Sequence, residues 1–251
     1  MIVAREFYGA LAVLLVGLPL YAQEMLTDRP DQTETATVVP MGSVQVESGG
    51  AVEFDGPAEQ RNRTTAFSSL VRVGLLPTFE LRLNGAVLHH QTGATAASGI
   101  GDVAVGAKIA IAREFGDLPE MALVAEMTLP VGGDEVRPHE LLPLLRMAFS
   151  RSLGESSSLG LNLGAEWGEG DEPAQGFYTL SLGSELAEQI GGYVELFGSL
   201  GAASPPAHSA DGGFTWLLAD RLQLDLSAGV GLSPAAPDYF VSAGVSFRIP
   251  Y

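Results

Sequence analysis

The sequence predicts an all-β fold, a single antiparallel up-and-down transmembrane β-barrel of about twelve strands. Three observations predict it. From Ser43 onward polar and apolar residues alternate with a period of two, the period of a strand with two different faces. The alternating stretches number about twelve, each near the roughly 9–11 residues that carry a tilted strand across a membrane. The connections between them switch between long and polar and short and tight.

Composition agrees with one exported all-β domain. The 251 residues suffice for a single large sheet structure. Apolar residues make up 46% and charged residues 17%, yet no apolar run reaches the roughly 20 residues of a membrane helix. Gly is abundant, at 31 residues, as bulges and tight turns require. The net charge of -17 argues against nucleic acid as a partner, because that binding rests on Lys and Arg neutralising phosphates. With no cysteine, the chain has neither a disulfide framework nor a thiolate metal site.

The first residues read as a targeting segment. Arg5 supplies a basic start, Phe7 to Val16 with Leu18 an apolar stretch, and Pro19 a helix break before Ala22. Residues 1–22 are expected to be a signal peptide cleaved near Ala22, leaving Gln23 first. Residues 23–42 are expected to be a periplasmic N-terminal segment. The sequence leaves open whether that segment plugs the lumen or hangs free. The barrel is expected over residues 43–251.

The strands follow in order. Val44, Val46, Gly50, Val52 and Phe54 share one face of the first; Gln45, Glu47, Ala51 and Glu53 share the other. Phe67, Ser69, Val71, Val73 and Leu75 oppose Ser68, Leu70, Arg72 and Gly74. Phe79, Leu81, Leu83 and Val87 oppose Glu80, Arg82 and Asn84. Val103, Val105, Ala107, Ile109 and Ile111 oppose Asp102, Ala104, Gly106 and Lys108. Met121 to Leu129 and Leu141 to Ser150 carry Glu126 and Arg146 on their polar faces, and Leu159 to Trp167 carries Asn162 and Glu166. The second half repeats the pattern, with Thr179, Ser181 and Glu185, then Tyr193, Glu195 and Ser199, as polar faces. Phe214 to Leu218 precedes Leu222 to Val230, where Gln223, Asp225 and Ser227 face the polar side. Tyr239, Val241, Ala243, Val245, Phe247, Ile249 and Tyr251 form one face of the last strand.

The connections place this sheet in an outer membrane rather than a soluble sandwich. Asp55–Arg63, His89–Ser98, Pro130–Glu140, Gly168–Gly176, Ala202–Ala210 and Ser233–Asp238 are long and polar. Those between, around Pro77, Arg113–Pro119, Gly154–Ser157, Ala187–Gly191 and Ala219–Arg221, are tighter. Long loops outside and short turns inside mark bacterial outer-membrane barrels, and an even strand count returns both termini to the periplasm. Closure satisfies the backbone hydrogen bonds that lipid leaves unmet. Val245, Phe247, Ile249 and the terminal Tyr251 have the alternating, aromatic-ended pattern through which barrel assembly machinery is expected to recognise the chain. Outer-membrane lipid is the other expected partner.

Candidate chemistry is sparse. Gly99-Ile100-Gly101-Asp102-Val103-Ala104 mimics a dinucleotide fingerprint, but an alternating strand follows where that motif needs a helix. His89, His90, His139 and His208 lie in loops or at strand ends without helical metal-ligand spacing. His208-Ser209 is the nearest approach to a nucleophile with its base, yet neighbours on a strand point to opposite faces. No catalytic residue, metal ligand or cofactor is expected, and the protein is not expected to be an enzyme.

The polar face carries the functional expectation. Glu53, Arg72, Glu80, Arg82, Asp102, Lys108, Glu126, Arg146, Glu166, Glu185, Glu195, Asp225 and Arg248 are candidates to line the lumen. Small inward residues, among them Ala51, Ser68, Ala104, Gly106, Ala148, Gly160, Gly164, Gly229 and Gly244, leave space between them. Twelve strands lie between filled eight-stranded barrels and open 16-stranded porins, so a narrow pore fits. The expected function is passive movement of small molecules, as a channel or transporter. Acids outnumber bases among the candidates, which predicts a mild preference for cations. The alternative is a structural or surface-interaction barrel without an open pore.

Several segments together resemble a known family. They are Thr27-Asp28-Arg29-Pro30-Asp31-Gln32-Thr33-Glu34, Val39-Pro40-Met41-Gly42, Gln45-Val46-Glu47-Ser48-Gly49 and Gly101-Asp102-Val103. Thr128-Leu129-Pro130-Val131-Gly132, Val194-Glu195-Leu196-Phe197-Gly198, Leu222-Gln223-Leu224-Asp225 and Pro237-Asp238-Tyr239-Phe240-Val241 complete the set with Gly244-Val245-Ser246-Phe247-Arg248. In combination they are similar to the "MetA-pathway of phenol degradation" family. The resemblance spans nearly all of the chain after the signal peptide. It implies an outer-membrane barrel with a transport role, and small hydrophobic or aromatic compounds as cargo.

Overall fold

Alternation of β-branched and aliphatic residues with polar ones gives strands that are wet on one face and apolar on the other. Closing such strands on themselves removes the unpaired edges. In the computed structural model, which describes residues 25–57, 61–93, 95–133, 140–202 and 204–250, this produces twelve strands and no helix. They are β1 (Ser43–Asp55), β2 (Asn62–Leu76), β3 (Phe79–Thr92), β4 (Thr95–Ala112), β5 (Glu120–Leu129) and β6 (Leu142–Ser152). Then come β7 (Ser157–Glu166), β8 (Gln175–Ala187), β9 (Ile190–Leu200), β10 (Ala207–Ala219), β11 (Leu222–Gly231) and β12 (Tyr239–Pro250). Each strand pairs antiparallel with its neighbours in sequence, and β1 pairs with β12, from Ser43↔Pro250 to Phe54↔Tyr239, to close the barrel. The expected signal peptide, its cleavage point and the terminal Tyr251 lie outside the described residues.

The two faces divide as the alternation requires. Phe67, Leu83, Val87, Ile109, Val194, Phe214, Leu226 and Val241 are large, apolar and exposed on the outer face. Gln45, Glu47, Arg72, Glu80, Arg82, Lys108, Asn162 and Ser246 are buried on the inner face. A soluble protein has the reverse distribution, and an apolar belt this extensive is paid for only by lipid or a partner surface.

The turns at the end holding the termini are short. β8 and β9 are joined through Gln189 at φ 67, β6 and β7 through Gly154 at φ 82, and β10 and β11 through Asp220 and Arg221. The opposite end carries the longer connections, with one exception. His89–Ser98, expected as a long loop, is instead the end of a β-hairpin: His89 pairs with Ser98 and Thr92 with Thr95, around Gly93 at φ 58. Its hydropathy does not alternate because both faces of the hairpin meet water there, while the backbone ladder continues regardless. A bulge interrupts the β3–β4 register between Gly85 and Val87, and beyond it β3 stays paired with β2 as far as Thr92.

Of the two arrangements left open for the N-terminal segment, the structure has its described residues, 25–42, inside the barrel. Residues 25–42 touch inward side chains of nearly every strand, from Glu47 on β1 and Arg72 on β2 to Glu195 on β9 and Asp225 on β11. Only a position on the barrel axis allows this. Both ends of the segment sit at the terminus end of the barrel. There Gln45 donates to the Leu26 carbonyl (2.9 Å), and the Gly42 amide donates to the Gly74 carbonyl (2.9 Å). The segment is thus a loop pushed in from that end, with the exposed Gln32 near its tip.

Candidate functional site: the filled lumen

The wall built from β1 to β6 is rich in bases. Arg72, Arg82, Lys108 and Arg146 point inward from β2, β3, β4 and β6, and the same wall carries Glu47, Glu80 and Glu126. A buried cation needs a partner or it costs several kcal/mol. The inserted segment supplies two. Asp28 accepts from Arg82 (2.8 Å) and Lys108 (3.0 Å) and lies 3.2 Å from Arg72. Glu34 pairs with Arg82 and Arg146, each at 2.8 Å. Glu80 and Glu47 complete the network by pairing with Arg72 at 2.8 and 3.1 Å. Burial alone would raise the Asp28 carboxyl, but the Arg72, Lys108 and Arg82 charges hold it well below the usual carboxylate range.

Backbone groups of the segment, which make no strand ladder, are met by side chains of the wall. The Glu34 amide donates to Asn162 (2.8 Å), which returns a bond to the Glu34 carbonyl (3.0 Å). The Val39 amide donates to Glu80 (2.6 Å), and the Gln32 amide to Glu195 (2.7 Å). The Thr37 carbonyl accepts from Arg72 (2.9 Å). Burying an extended segment without such partners would leave each amide and carbonyl unsatisfied.

On the other wall the charge pattern reverses. Arg29 of the segment pairs with Asp225 of β11 (2.9 Å) and donates to Ser242 of β12 (3.0 Å). Its guanidinium fits because Gly49 and Gly244 present no side chain; a Cβ at either would collide with it. Gly160 likewise makes room for the Thr33 methyl, and Ala36 packs in a small apolar contact with Ala122 and Ala148. Space left by small inward residues at 148, 160 and 244 is therefore taken by the segment. At 164 and 229 it is taken by the wall's own Phe177 and Phe240.

Twelve of the thirteen residues expected from sequence fall into three groups. Arg72, Glu80, Arg82, Lys108, Arg146, Glu195 and Asp225 bind the inserted segment directly. Glu126 supports Arg82 at 2.7 Å, and Arg248 donates to Gln45 at 2.8 Å. Glu53 borders a polar cleft at the open rim with Asp55, Thr64 and His90, and Glu166 and Glu185 are exposed at opposite ends of the barrel. Asp102 lies on β4, and its side chain is outside the described residues. Sequence reasoning passed over Asp211, Glu120 and the segment's own Asp28, Arg29, Asp31 and Glu34. The available signal was four charges among the eight residues Thr27 to Glu34 in a stretch with no strand period.

A family model described as "Putative MetA-pathway of phenol degradation" matches residues 27–249, and so covers inserted segment and barrel together. The chain belongs to this family. No curated protein matches it. An outer membrane channel from Pseudomonas putida F1 has a similar structure, with a TM-score of 0.68 at 13% identity over 85% of this chain and 98% of that one. The KdgM porin gives 0.55 at 10% identity over 81% and 98%, and the CymD monoaromatic hydrocarbon channel 0.50 at 8% over 85% and 89%. At these identities the likeness is one of fold.

Proposed function

We propose that the chain is an outer-membrane channel for passive movement of small molecules, closed in this state by its own N-terminal segment. The observation that carries this reading is how the lumen is filled. Small barrels that serve as scaffolds fill themselves with wall side chains. This wall instead keeps small and polar residues, and the space is occupied by a loop tethered at one end of the barrel. Shared fold with proteins named as a channel and a porin supports the same reading.

The proposal extends to place and cargo. Residues 1–22 direct export, both termini lie on the periplasmic side, and the strand ending at Tyr251 is recognised by the barrel assembly machinery. The cargo is small, including apolar or aromatic compounds; the family's phenol-degradation name and the fold shared with a monoaromatic hydrocarbon channel support this. The open lumen prefers cations. Its described wall carries Glu47, Glu53, Glu80, Glu120, Glu126, Glu166, Glu195, Asp211 and Asp225 against Arg72, Arg82, Lys108, Arg146 and Arg248. Fixed carboxylates raise the local cation concentration.

Planar-bilayer recording tests this on the mature chain beside a variant lacking residues 25–41. The variant is expected to give larger conductance steps and a reversal potential on the cation side at low salt. The preference should fade toward about 1 M salt, where the Debye length falls to about 3 Å. Folded protein that gives no steps in either form contradicts the channel and leaves a scaffold barrel.

A further inference from the structure

The tip of the inserted segment meets a wall of its own charge. Glu195 of β9 is buried at 3% exposure, and accepts from the Gln32 amide (2.7 Å) and the Thr33 hydroxyl (2.5 Å). The Asp211 carboxyl of β10, 8% exposed, sits directly across the ladder from Glu195, and its Oδ1 has no donor. Its Oδ2 accepts from the Tyr193 hydroxyl (3.2 Å). Asp31 of the segment, adjacent to the Gln32 amide that Glu195 holds, lies within electrostatic reach of both acids and beside Ser181 of β8. The nearest charged pair along the segment, Arg29 with Asp225 of β11, is committed to itself at 2.9 Å. Thr179 of β8 presents a hydroxyl to Thr33.

Two carboxyl groups in mutual contact cannot both be ionised in a buried site without large repulsion, and an oxygen lacking a donor is where a shared proton resides. Among the described residues, no group of three or more His, Cys, Asp or Glu is arranged to hold a metal ion. We propose that Asp31, Glu195 and Asp211 form a proton-held latch, which keeps the segment's tip docked while protons lie between the three carboxyls and releases it when they are lost to the vestibule. Burial first, and then the Glu195 charge, pushes the Asp31 carboxyl well above the ordinary range. A carboxyl that holds its proton more tightly docked than free favours docking in acid, and loses that contribution as pH rises through the raised value. The latch is thus the counterpart of the Asp28 anchor, which holds at every pH above strong acid. One tethered loop carries a permanent anchor and a titratable tip.

This inference rests on the reading of residues 25–41 as a removable plug, so docking itself is measured rather than conductance. The chain has no cysteine, and a spin label at Gln32→Cys reports the tip without touching the backbone amide that Glu195 binds. In folded full-length protein the mobile fraction is expected to rise from about pH 5 to about pH 9. Asp211→Asn removes one titrating acid, and should shift the midpoint by at least one pH unit, about tenfold in proton concentration, or flatten the curve. Glu195→Gln serves the same purpose if Asp211→Asn fails to fold, as judged by heat-modifiable mobility. A mobile fraction that is constant across this range, or a profile in the folded variant identical to the parent's, overturns the latch. Redocking by millimolar calcium with a pH-independent profile also overturns it, in favour of a metal-held tip. Pure docking data leave the channel reading standing or falling on conductance alone.

Discussion

Asp28 is the residue on which the inserted segment turns, because three buried cations, Arg72, Arg82 and Lys108, share its carboxylate. Removing one partner from a buried network leaves the others uncompensated, at a cost of about 3–5 kcal/mol. Asp28→Asn should therefore undock the segment, and limited proteolysis should cut the variant near residues 25–41 while sparing the parent. Mild acid should not reproduce this. A carboxyl depressed by its partners contributes its stability above the ordinary range and gives it up only as pH falls through the depressed value. The outer face answers to a different rule. Leu224 lies outward and Asp225 inward on β11. Leu224→Arg should lose the heat-modifiable folded band, since Arg at the midplane of a barrel's lipid face costs about 2–4 kcal/mol. Asp225→Asn should keep the band; loss of the band in Asp225→Asn but not in Leu224→Arg would reverse the faces.

Most strands were legible in the sequence where one face meets lipid and the other the lumen, because the period of two is written there in hydropathy. β1, β5 and β11 follow their expected bounds closely. Legibility failed where the outward positions carry few large apolar side chains. The start of β10 at Ala207 lay within an expected loop, and so Asp211 was not placed on the inner face. The β3–β4 hairpin was read as a loop for the same reason. An insertion at the Gly93 turn should be tolerated and cleaved by protease on intact cells, as should one at Pro205. An insertion at Gly154, in the turn between β6 and β7, should be protected. The opposite pattern would invert the barrel.

The closed barrel and its inside-out polarity follow from alternation alone, but the occupied lumen does not. Inward charges such as Arg72 and Glu80 are equally compatible with a hydrated pore, with pairing across the wall, or with a bound segment. Sequence alone does not say which partner each will find. The segment's own lack of periodicity, which hides it from strand-reading, reflects that it uses wall side chains rather than a ladder to satisfy its backbone. Its charges nonetheless match the wall in order: Asp28 and Glu34 toward the bases, Arg29 toward Asp225. Such matching specifies one docked arrangement, and a segment specified in this way has a function in being docked.

That function is best tested by locking it. The Thr33 and Thr179 hydroxyls lie 2.6 Å apart, one on the segment and one on β8, in a chain that has no cysteine. Thr33→Cys with Thr179→Cys places two thiols within disulfide reach. Planar-bilayer conductance of the oxidised double variant should be abolished, and a reducing agent should restore steps like those of either single variant. Equal conductance in the oxidised and reduced forms, with the disulfide verified, would contradict the claim that the N-terminal segment closes the channel.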